Sequence, residues 1–323
     1  MNVLDQTIGQ KFALYHGDCT DVLRGLPDNS VHYSVFSPPF ASLYTYSASP
    51  RDLGNCRDSA EFFAHFRYVI PELFRVIKPG RLLSMHCMLL PTSKARDGFI
   101  GLSDFRGDLI RAFQEVGFVF HSEVVIWKDP VTAMQRTKAL GLLHKTIRKD
   151  SSMSRQGIPD YLVTMRKPGK NEEPITHEER GAGLLSDVEV WQRYASPVWV
   201  TTRGHDDEGF AICRGDTDPS DDASTIDPSE TLQYRSARDH DDERHICPLQ
   251  TSVIRRALRL WTNPGDVVLS PFAGIGSEGY VSLQEGRRFI GAELKASYYR
   301  QAARNLLGAE QPDRQLGLFG ATA

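Results

Sequence analysis

The stretch DVVLSPFAGIGSEG, residues 266–279, decides the fold. It starts as a buried strand and runs into Gly274, Gly276 and Gly279, spaced as GxGxxG at the start of a helix pattern. Glycine is needed where the backbone turns sharply and approaches a ligand closely, and a helix N-terminus offers free N–H groups to an anion. Glu293 ends the next strand pattern, where a carboxylate accepts hydrogen bonds from ribose hydroxyls. The segment predicts a nucleotide or nucleoside site.

A second unusual turn, Ser37-Pro38-Pro39-Phe40, closes the apolar run of residues 31–36. Two prolines at a strand end are costly in a central sheet, because neither can donate to the ladder. Ligands in parallel sheets bind at the carboxyl ends of strands. We therefore expect this turn to carry function, although as an isolated turn it would be ordinary in sequence.

The alternation of strand and helix patterns predicts an α/β fold with a doubly wound, mostly parallel sheet. A helix pattern begins at Asp58–Ser59 and should bend at Pro71, and another should open at Pro248. Residues 170–243 are polar and weakly periodic, so their fold is not predicted. The strands are expected at residues 12–15, 31–36, 81–86, 124–128, 161–166, 266–269 and 288–293.

The bulk composition is that of a globular protein: 323 residues, 40% hydrophobic and 24% charged. The longest apolar runs are too short for a membrane span, and the N-terminus shows no signal peptide. The five cysteines are scattered and form no CxxC pair, so neither a metal site nor a disulfide framework is indicated. We expect a cytoplasmic protein.

The net charge of −3 hides a strong asymmetry. Residues 131–170 carry nine lysines and arginines against two aspartates, whereas residues 204–243 carry thirteen acidic residues against three arginines. A basic segment can bind phosphates on an acidic protein, but a solvated helix face explains such a run equally well. The candidates for contact with a nucleic-acid backbone are Lys138, Lys145, Arg148, Lys149 and Arg155.

The two main segments together resemble those of the S-adenosylmethionine-dependent DNA amino-methyltransferases. Their order, catalytic segment first, is that of the β class, in phage-type or stand-alone bacterial enzymes. The resemblance implies a seven-stranded class I methyltransferase sheet, circularly permuted, with an inserted target-recognition region. It also implies double-stranded DNA as substrate, no membrane, and a homodimer. Residues 1–130 would form the catalytic half, 131–243 the last strand pair with the DNA-recognition insertions, 244–310 the cofactor half, and 311–323 a tail.

The resemblance also assigns residues to the site for S-adenosylmethionine. The segment around Asp18 and Cys19 is similar to the one that holds the adenine ring in the family. Residues 244–250 are similar to the segment at the methionine end. Ser270 departs from the family, which usually has aspartate there. The cofactor residues implied are Asp18, Cys19, His245, Pro248, Gln250, Ser270, Phe272, Gly274, Gly276 and Glu293. For Gly279, close helix packing is the better interpretation.

The catalytic turn suits the family's chemistry. An exocyclic amine is a poor nucleophile because its lone pair is delocalised into the ring. Ser37 Oγ and the Pro38 carbonyl can accept its two N–H groups, Pro38 and Pro39 fix the carbonyl's aim, and Phe40 offers a stacking face for a base rotated out of the duplex. Trp127-Lys128 ends a strand near the expected base pocket, but a core tryptophan beside a solvated lysine is equally plausible.

Two target bases stay open. Serine before the two prolines favours cytosine N4, whereas residues 37–46, 52–55 and 245–250 resemble enzymes that include adenine methylases, and adenine N6 is the narrow preference. A nicotinamide dehydrogenase would use the glycine loop but leave residues 37–40 unexplained, and too few residues follow the loop for a second mononucleotide half. A DNA-binding regulator with an inactive methyltransferase fold is disfavoured by the intact segments.

The order of the two segments also predicts the order of strands in the sheet. The cofactor strand should lie beside the catalytic strand, with the strand that bears Glu293 on its far side. The strand that ends near Asp18 should come next, and the basic insertion should lie at the opposite edge.

Overall fold

Eleven strands are found in the described part of the chain. The computed structural model describes residues 3–40, 51–128, 144–177, 188–200, 226, 230–233, 237 and 249–311. The strands are β1 (Asp5–Ile8), β2 (Phe12–His16), β3 (Val31–Phe36), β4 (Ile77–Met88), β5 (Leu90–Pro91), β6 (Leu102–Ser103), β7 (Val119–Ile126), β8 (Asp160–Arg166), β9 (Val198–Trp199), β10 (Val267–Ser270) and β11 (Arg288–Glu293). Nine of them form one sheet, in the order β1-β2-β11-β10-β3-β4-β8-β7-β9, and β5 pairs with β6.

The strand order confirms the predicted arrangement. The cofactor strand β10 lies between the catalytic strand β3 and β11, and β2 follows β11. Strands β2, β11, β10, β3 and β4 are mutually parallel, whereas β8 is antiparallel to both β4 and β7. The sheet has nine strands instead of the seven expected, because β1 and β9 extend its two edges. β9 lies in the polar region whose fold the sequence did not predict.

Helices cover both faces of the sheet. They are α1 (Cys19–Arg24), α2 (Ser59–Phe66), α3 (Val69–Val76), α4 (Lys94–Asp97), α5 (Phe105–Val116), α6 (His144–Lys149), α7 (Val188–Tyr194), α8 (Thr251–Trp261), α9 (Ser277–Gln284) and α10 (Ala296–Glu310). One core, rich in phenylalanine, packs α2, α3 and α5 on the catalytic half of the sheet. The other packs α8, α9 and α10 on the opposite face. No helix among the described residues is long and apolar enough to cross a membrane.

The helix expected to bend at Pro71 is two helices. The break falls at Arg67–Tyr68, and Pro71 is the third residue of α3. Its missing N–H costs little there, because the N–H groups of a first helical turn have no partner within the helix. Strand β4 starts at Ile77, four residues earlier than predicted. Helix α8 begins at Thr251, and Pro248 lies outside the described residues.

An ion cluster lies at the amino ends of the central strands. The guanidinium of Arg81 is buried, with Nη1 3.2 Å from Asp266 Oδ2 and Nη2 3.6 Å from Glu173 Oε2. His32 Nε2 lies 2.9 Å from Glu173 Oε2, and Lys78 Nζ lies 2.6 Å from its other oxygen. His32, Glu173 and Asp266 could geometrically hold a metal ion. Because Arg81 and Lys78 already neutralise both carboxylates, we interpret the cluster as structural.

The predicted functional residues lie at the other ends of the strands from the ion cluster. We call this side of the sheet the carboxyl edge, and the side of the ion cluster the amino edge. The carboxyl ends of β2, β11, β10, β3 and β4 all reach the carboxyl edge, and β7 ends there as well. Because β8 is antiparallel, its first residue, Asp160, also lies at this edge, opposite Met88 of β4. The sheet therefore brings the predicted catalytic and cofactor segments together.

The Arg81–Asp266 pair makes a test of the fold. Replacing Asp266 with alanine leaves a buried guanidinium without its carboxylate, and we expect a loss of about 3–5 kcal/mol in the free energy of unfolding. Part of the loss comes from the turn, where the carboxylate accepts the N–H of Asn263 at 2.7 Å. Urea titration measures it. Glu173→Ala is the matched control, since this half-exposed carboxylate should contribute no more than about 1 kcal/mol. Equal losses would show that burial of the pair does not matter.

Candidate active site

The catalytic turn lies in the centre of the carboxyl edge. All six residues of β3 are buried, and the strand pairs with β10 on one side and β4 on the other. Phe36 is paired with Met85, so that Ser37 emerges beside His86. Pro38 is buried, while Ser37 and Phe40 are partly exposed. Ser37 is therefore held by buried structure and still accessible from the edge.

Ser37 starts a chain of hydrogen bonds into the sheet. Ser37 Oγ lies 3.0 Å from His86 Nδ1, and His86 Nε2 lies 2.9 Å from Asp160 Oδ2. Lys128 Nζ forms an ion pair with the same carboxylate oxygen. Both His86 and Asp160 are buried. Three strands, β3, β4 and β8, thus supply one connected polar network.

The charge of Asp160 sets the direction of these hydrogen bonds. Burial acts to raise the pKa of Asp160, but Lys128 and His86 outweigh it and hold the pKa at about 2. The carboxylate is therefore an acceptor at neutral pH, and His86 Nε2 donates to it. In a neutral imidazole Nδ1 is then the acceptor for the hydroxyl proton of Ser37. The lone pairs of Ser37 Oγ stay available for an N–H donor at the sheet edge.

Phe40 forms an aromatic wall beside this network. Its ring is edge-on to His86 and to Phe105, with centroid separations of 6.4 and 6.3 Å. The Phe105 ring is part of the buried core, so one side of Phe40 is supported and its partly exposed remainder is presented to the edge.

Glycine is required at the three loop positions for different structural reasons. Gly274 has a φ of +53°, and a Cβ there would meet nothing within 4 Å, so the loop faces open space. Gly276 has a φ of +85° and packs against Ala302 of α10. At Gly279 a Cβ would lie 2.5 Å from the Phe289 ring, which confirms helix packing as its reason. Of the three, only Gly274 has free space beside it for a ligand.

A partly buried acid, Glu293, and a buried acid, Glu278, lie beside the loop. Glu293 accepts the N–H of Gly274 and the N–H of Lys295, each at 2.8 Å and each on a different carboxylate oxygen. Burial raises the pKa of Glu293 to about 7, against these hydrogen bonds. Burial also raises the pKa of Glu278, on the first turn of α9, to about 8. Each oxygen of Glu293 keeps a lone pair for a further donor.

Several buried polar atoms near this edge have no partner. Among the described residues, Gln250 Oε1, Ser270 Oγ and Ser277 Oγ are buried and form no hydrogen bond. Gln250 precedes α8, Ser270 ends β10 and Ser277 begins α9. Buried polar groups are normally paired. Orphan acceptors and donors beside a glycine loop and a ribose-type carboxylate fit a nucleoside such as S-adenosylmethionine.

The remaining predicted cofactor residues are partly structural. Asp18 caps α1, its Oδ1 accepting the N–H of Thr20 at 2.8 Å, and burial strongly raises the pKa of the neighbouring Cys19. The N–H of Gly17 donates to the Glu293 carbonyl, which places this segment beside the acid. Phe272 packs on Phe36 and Phe66 in the aromatic core. His245 and Pro248 lie outside the described residues.

The predicted DNA-contact residues fall into three groups. Arg148 and Lys149 are exposed in the last turn of α6. Arg155 is partly buried and donates to the Gly101 carbonyl at 2.9 Å, so its guanidinium holds the β5–β6 hairpin. Lys138 and the side chain of Lys145 lie outside the described part of the structure.

Sequence reasoning missed His86 and Asp160 and gave Lys128 no firm role. A signal existed for both missed residues. His86 ends the strand predicted directly after the catalytic one, and Asp160 precedes the predicted strand of residues 161–166. Adjacent strand ends meet at one edge, but only the antiparallel direction of β8 brings Asp160 to it.

A mainly parallel sheet with the antiparallel strand β8 between β4 and β7, a glycine loop after β10, and an acid at the end of the neighbouring strand β11 define an S-adenosylmethionine-dependent methyltransferase of class I. The particular family follows from the comparisons. The sequence profile of the DNA methylase family of N6 and N4 methyltransferases matches residues 31–304. The chain belongs to this family of DNA amino-methyltransferases, whose cofactor is S-adenosylmethionine.

Relatives and solved structures agree with this assignment. The chain is 39% identical over 307 residues to the type II methyltransferase M.XycI of Xanthomonas campestris pv. cyanopsidis, covering 91% of this chain and 87% of the relative. TTHA0409 of Thermus thermophilus, solved with S-adenosyl-L-methionine, has the same fold, with a TM-score of 0.62, 22% identity, and coverage of 91% and 94%. The cytosine-N4-specific PvuII DNA methyltransferase is also similar in fold, with a TM-score of 0.61, 17% identity, and coverage of 94% and 90%.

The raised pKa of Glu293 predicts how cofactor affinity depends on pH. Ribose hydroxyls donate to the ionised carboxylate, so binding should strengthen as Glu293 loses its proton. With a pKa of about 7, the association constant should rise about tenfold from pH 6 to pH 8 through this group alone. Calorimetry with S-adenosylmethionine measures it, and Glu293→Gln is the control that retains the titration of the cofactor's own amine. The same slope in both proteins would contradict the role of Glu293.

Proposed function

We propose that this chain is a site-specific DNA methyltransferase that methylates the exocyclic amine, N6, of an adenine rotated out of double-stranded DNA. The observation that carries the proposal is Ser37, a partly exposed hydroxyl oriented by His86 at the end of a buried strand. The adjacent strand β10 leads into the loop that fits the cofactor. The sites for the methyl acceptor and the methyl donor therefore lie at the ends of neighbouring strands, which are about 4.8 Å apart in the sheet.

In this proposal the catalytic turn prepares the amine. Ser37 Oγ and the Pro38 carbonyl accept its two N–H groups, which draws the nitrogen toward tetrahedral geometry as it reacts. Pro38 and Pro39 restrict the backbone and fix the direction of the carbonyl, a positioning contribution. Phe40, supported by Phe105, stacks on the extruded base.

The residues that would hold the cofactor lie around the glycine loop. Glu293 would accept the ribose hydroxyls, Gly274 would leave room for the ligand, and Gln250, Ser270 and Ser277 would use their unpaired polar atoms. When bound, S-adenosylmethionine supplies a methyl group activated by a sulfonium. Ser270 replaces the family's usual aspartate, so its hydroxyl would make one neutral hydrogen bond there.

Cytosine N4 is the second candidate for the acceptor. Ser37 favours it, since the family usually has aspartate or asparagine before the prolines in adenine enzymes, and PvuII methyltransferase, similar in fold, is cytosine-N4-specific. Adenine N6 is supported by the resemblance of residues 37–46, 52–55 and 245–250 to phage-type and stand-alone enzymes that include adenine methylases. Both bases present the same amine chemistry to Ser37 and Pro38.

The DNA would lie across the carboxyl edge of the sheet, with helix α6 against the phosphate backbone of the DNA. Arg148 and Lys149 are the exposed cations there, and phosphate contacts would position the protein while other residues read the bases. We also propose that residues 131–243 recognise the target sequence. The protein would act in the cytoplasm as a homodimer.

The proposal predicts the reaction product. The protein is expressed in a host that lacks DNA methylation, and the host DNA is digested to nucleosides. Mass spectrometry should then detect N6-methyldeoxyadenosine. Ser37→Ala is the control and should lower methylation by about two orders of magnitude, because its hydrogen bond matters most in the transition state. N4-methyldeoxycytidine would select the second candidate, and no methylated nucleoside would refute the function. Sequencing with modification detection gives the site.

The proposal also predicts how DNA binding depends on salt. Replacing Arg148 and Lys149 with alanine should weaken binding to duplexes of any sequence and flatten the dependence of log K on log salt by about 0.9 for each lost phosphate contact. Fluorescence anisotropy at several salt concentrations measures the slope. The double variant Arg24→Ala, Lys170→Ala is the matched control, since both cations are exposed at the amino edge of the sheet. If the slope is unchanged in the α6 variant, the DNA does not lie on this helix.

A further inference from the structure

We propose that His86 accepts, through Ser37, the proton that the target amine loses on methylation, with Asp160 holding the imidazole in the required tautomer. This inference rests on the proposed function. The inference is based on the hydrogen-bond chain that runs from the partly exposed Ser37 through buried His86 to buried Asp160.

The reaction requires a proton acceptor. When the amine nitrogen uses its lone pair to form the N–CH3 bond, the electron pair of the S–CH3 bond stays on sulfur and the nitrogen becomes cationic. The N–H bond must then break, its electron pair returning to nitrogen. In our proposal the proton passes to Ser37 Oγ while the hydroxyl proton of Ser37 passes to His86 Nδ1. The products are a neutral methylated amine, a neutral Ser37 and a protonated His86 beside the Asp160 carboxylate.

The geometry gives this transfer one direction. His86 Nε2 faces Asp160 at 2.9 Å, so Nδ1 presents its lone pair to Ser37 at 3.0 Å. The imidazole is on β4 and the carboxylate begins β8; in the ladder between these strands His86 is opposite Leu162 and Asp160 is opposite Met88. The Phe40 ring lies edge-on to His86, which is buried. His86 is therefore a positioning residue that acts on the amine through Ser37.

Asp160 serves both states of the histidine. In the resting protein it accepts a hydrogen bond from His86 Nε2–H, and after the transfer it faces an imidazolium. The ion pair with Lys128 keeps Asp160 ionised, so it remains an acceptor in both states. Lys128 is partly exposed and connects the network to the surface where the DNA would lie.

A double-mutant cycle tests the coupling. Single-turnover methylation of a duplex carrying the identified site should slow about 100-fold in His86→Ala and similarly in Ser37→Ala. Because both act on one proton, the double variant should be no more than about threefold slower than Ser37→Ala. Effects that multiply would overturn the proposal, since His86 would then act independently of Ser37. If the wild-type protein methylates no DNA, the proposed function fails instead.

Two further measurements separate proton transfer from support of the fold. His86→Asn keeps an acceptor for the Ser37 hydroxyl but takes no proton at neutral pH, so its rate should be as low as that of His86→Ala. A wild-type rate would overturn the proposal. In the cofactor-free protein, ¹⁵N NMR should show His86 protonated on Nε2 and not on Nδ1, and the reverse tautomer would contradict it. His65→Ala, an exposed histidine of α2, is the control, and calorimetry with S-adenosylmethionine verifies that each variant is folded.

Discussion

The hydrogen-bonded pairing of β3 with β10 is the constraint on which the rest of the site depends. Val268 pairs with Tyr33 and Leu269 with Ser34, and Ser34 Oγ adds a hydrogen bond to the Leu269 carbonyl at 2.9 Å. Ser34 and Leu269 are 235 residues apart in the chain, yet their strands end side by side. Their turns are therefore held at one strand spacing, and neither can move without disturbing a fully buried ladder. A methyl donor on one turn and an acceptor on the other would share this fixed separation.

The two ends of the sheet treat buried charge in opposite ways. At the amino edge Arg81 and Asp266 neutralise each other, and this edge serves stability. At the carboxyl edge the partly buried Glu293 lies near the buried Glu278, burial raises the pKa of both, and Ser270 Oγ has no hydrogen-bond partner. Buried groups without partners cost stability. A ligand with hydroxyl and ammonium donors, bound at the carboxyl edge, would satisfy the groups there.

The sequence predicted the parts of the fold that depend on local pattern. The two turns and most strands followed from local patterns, and the order of the central strands followed from the order of the two turns along the chain. The helix break at Arg67–Tyr68 did not, since neither residue is a helix breaker. His86 and Asp160 were missed because their meeting depends on the antiparallel pairing of β4 with β8. No local pattern around either residue carries that information.

A crystal structure with S-adenosylhomocysteine would show directly whether the glycine loop and the Ser37 turn form one site. We expect the ribose hydroxyls to contact the Glu293 carboxylate and the sulfur to face Ser37, with open space for a base between the sulfur and Ser37. A ribose bound away from Glu293, or a sulfur separated from Ser37 by protein, would contradict this expectation.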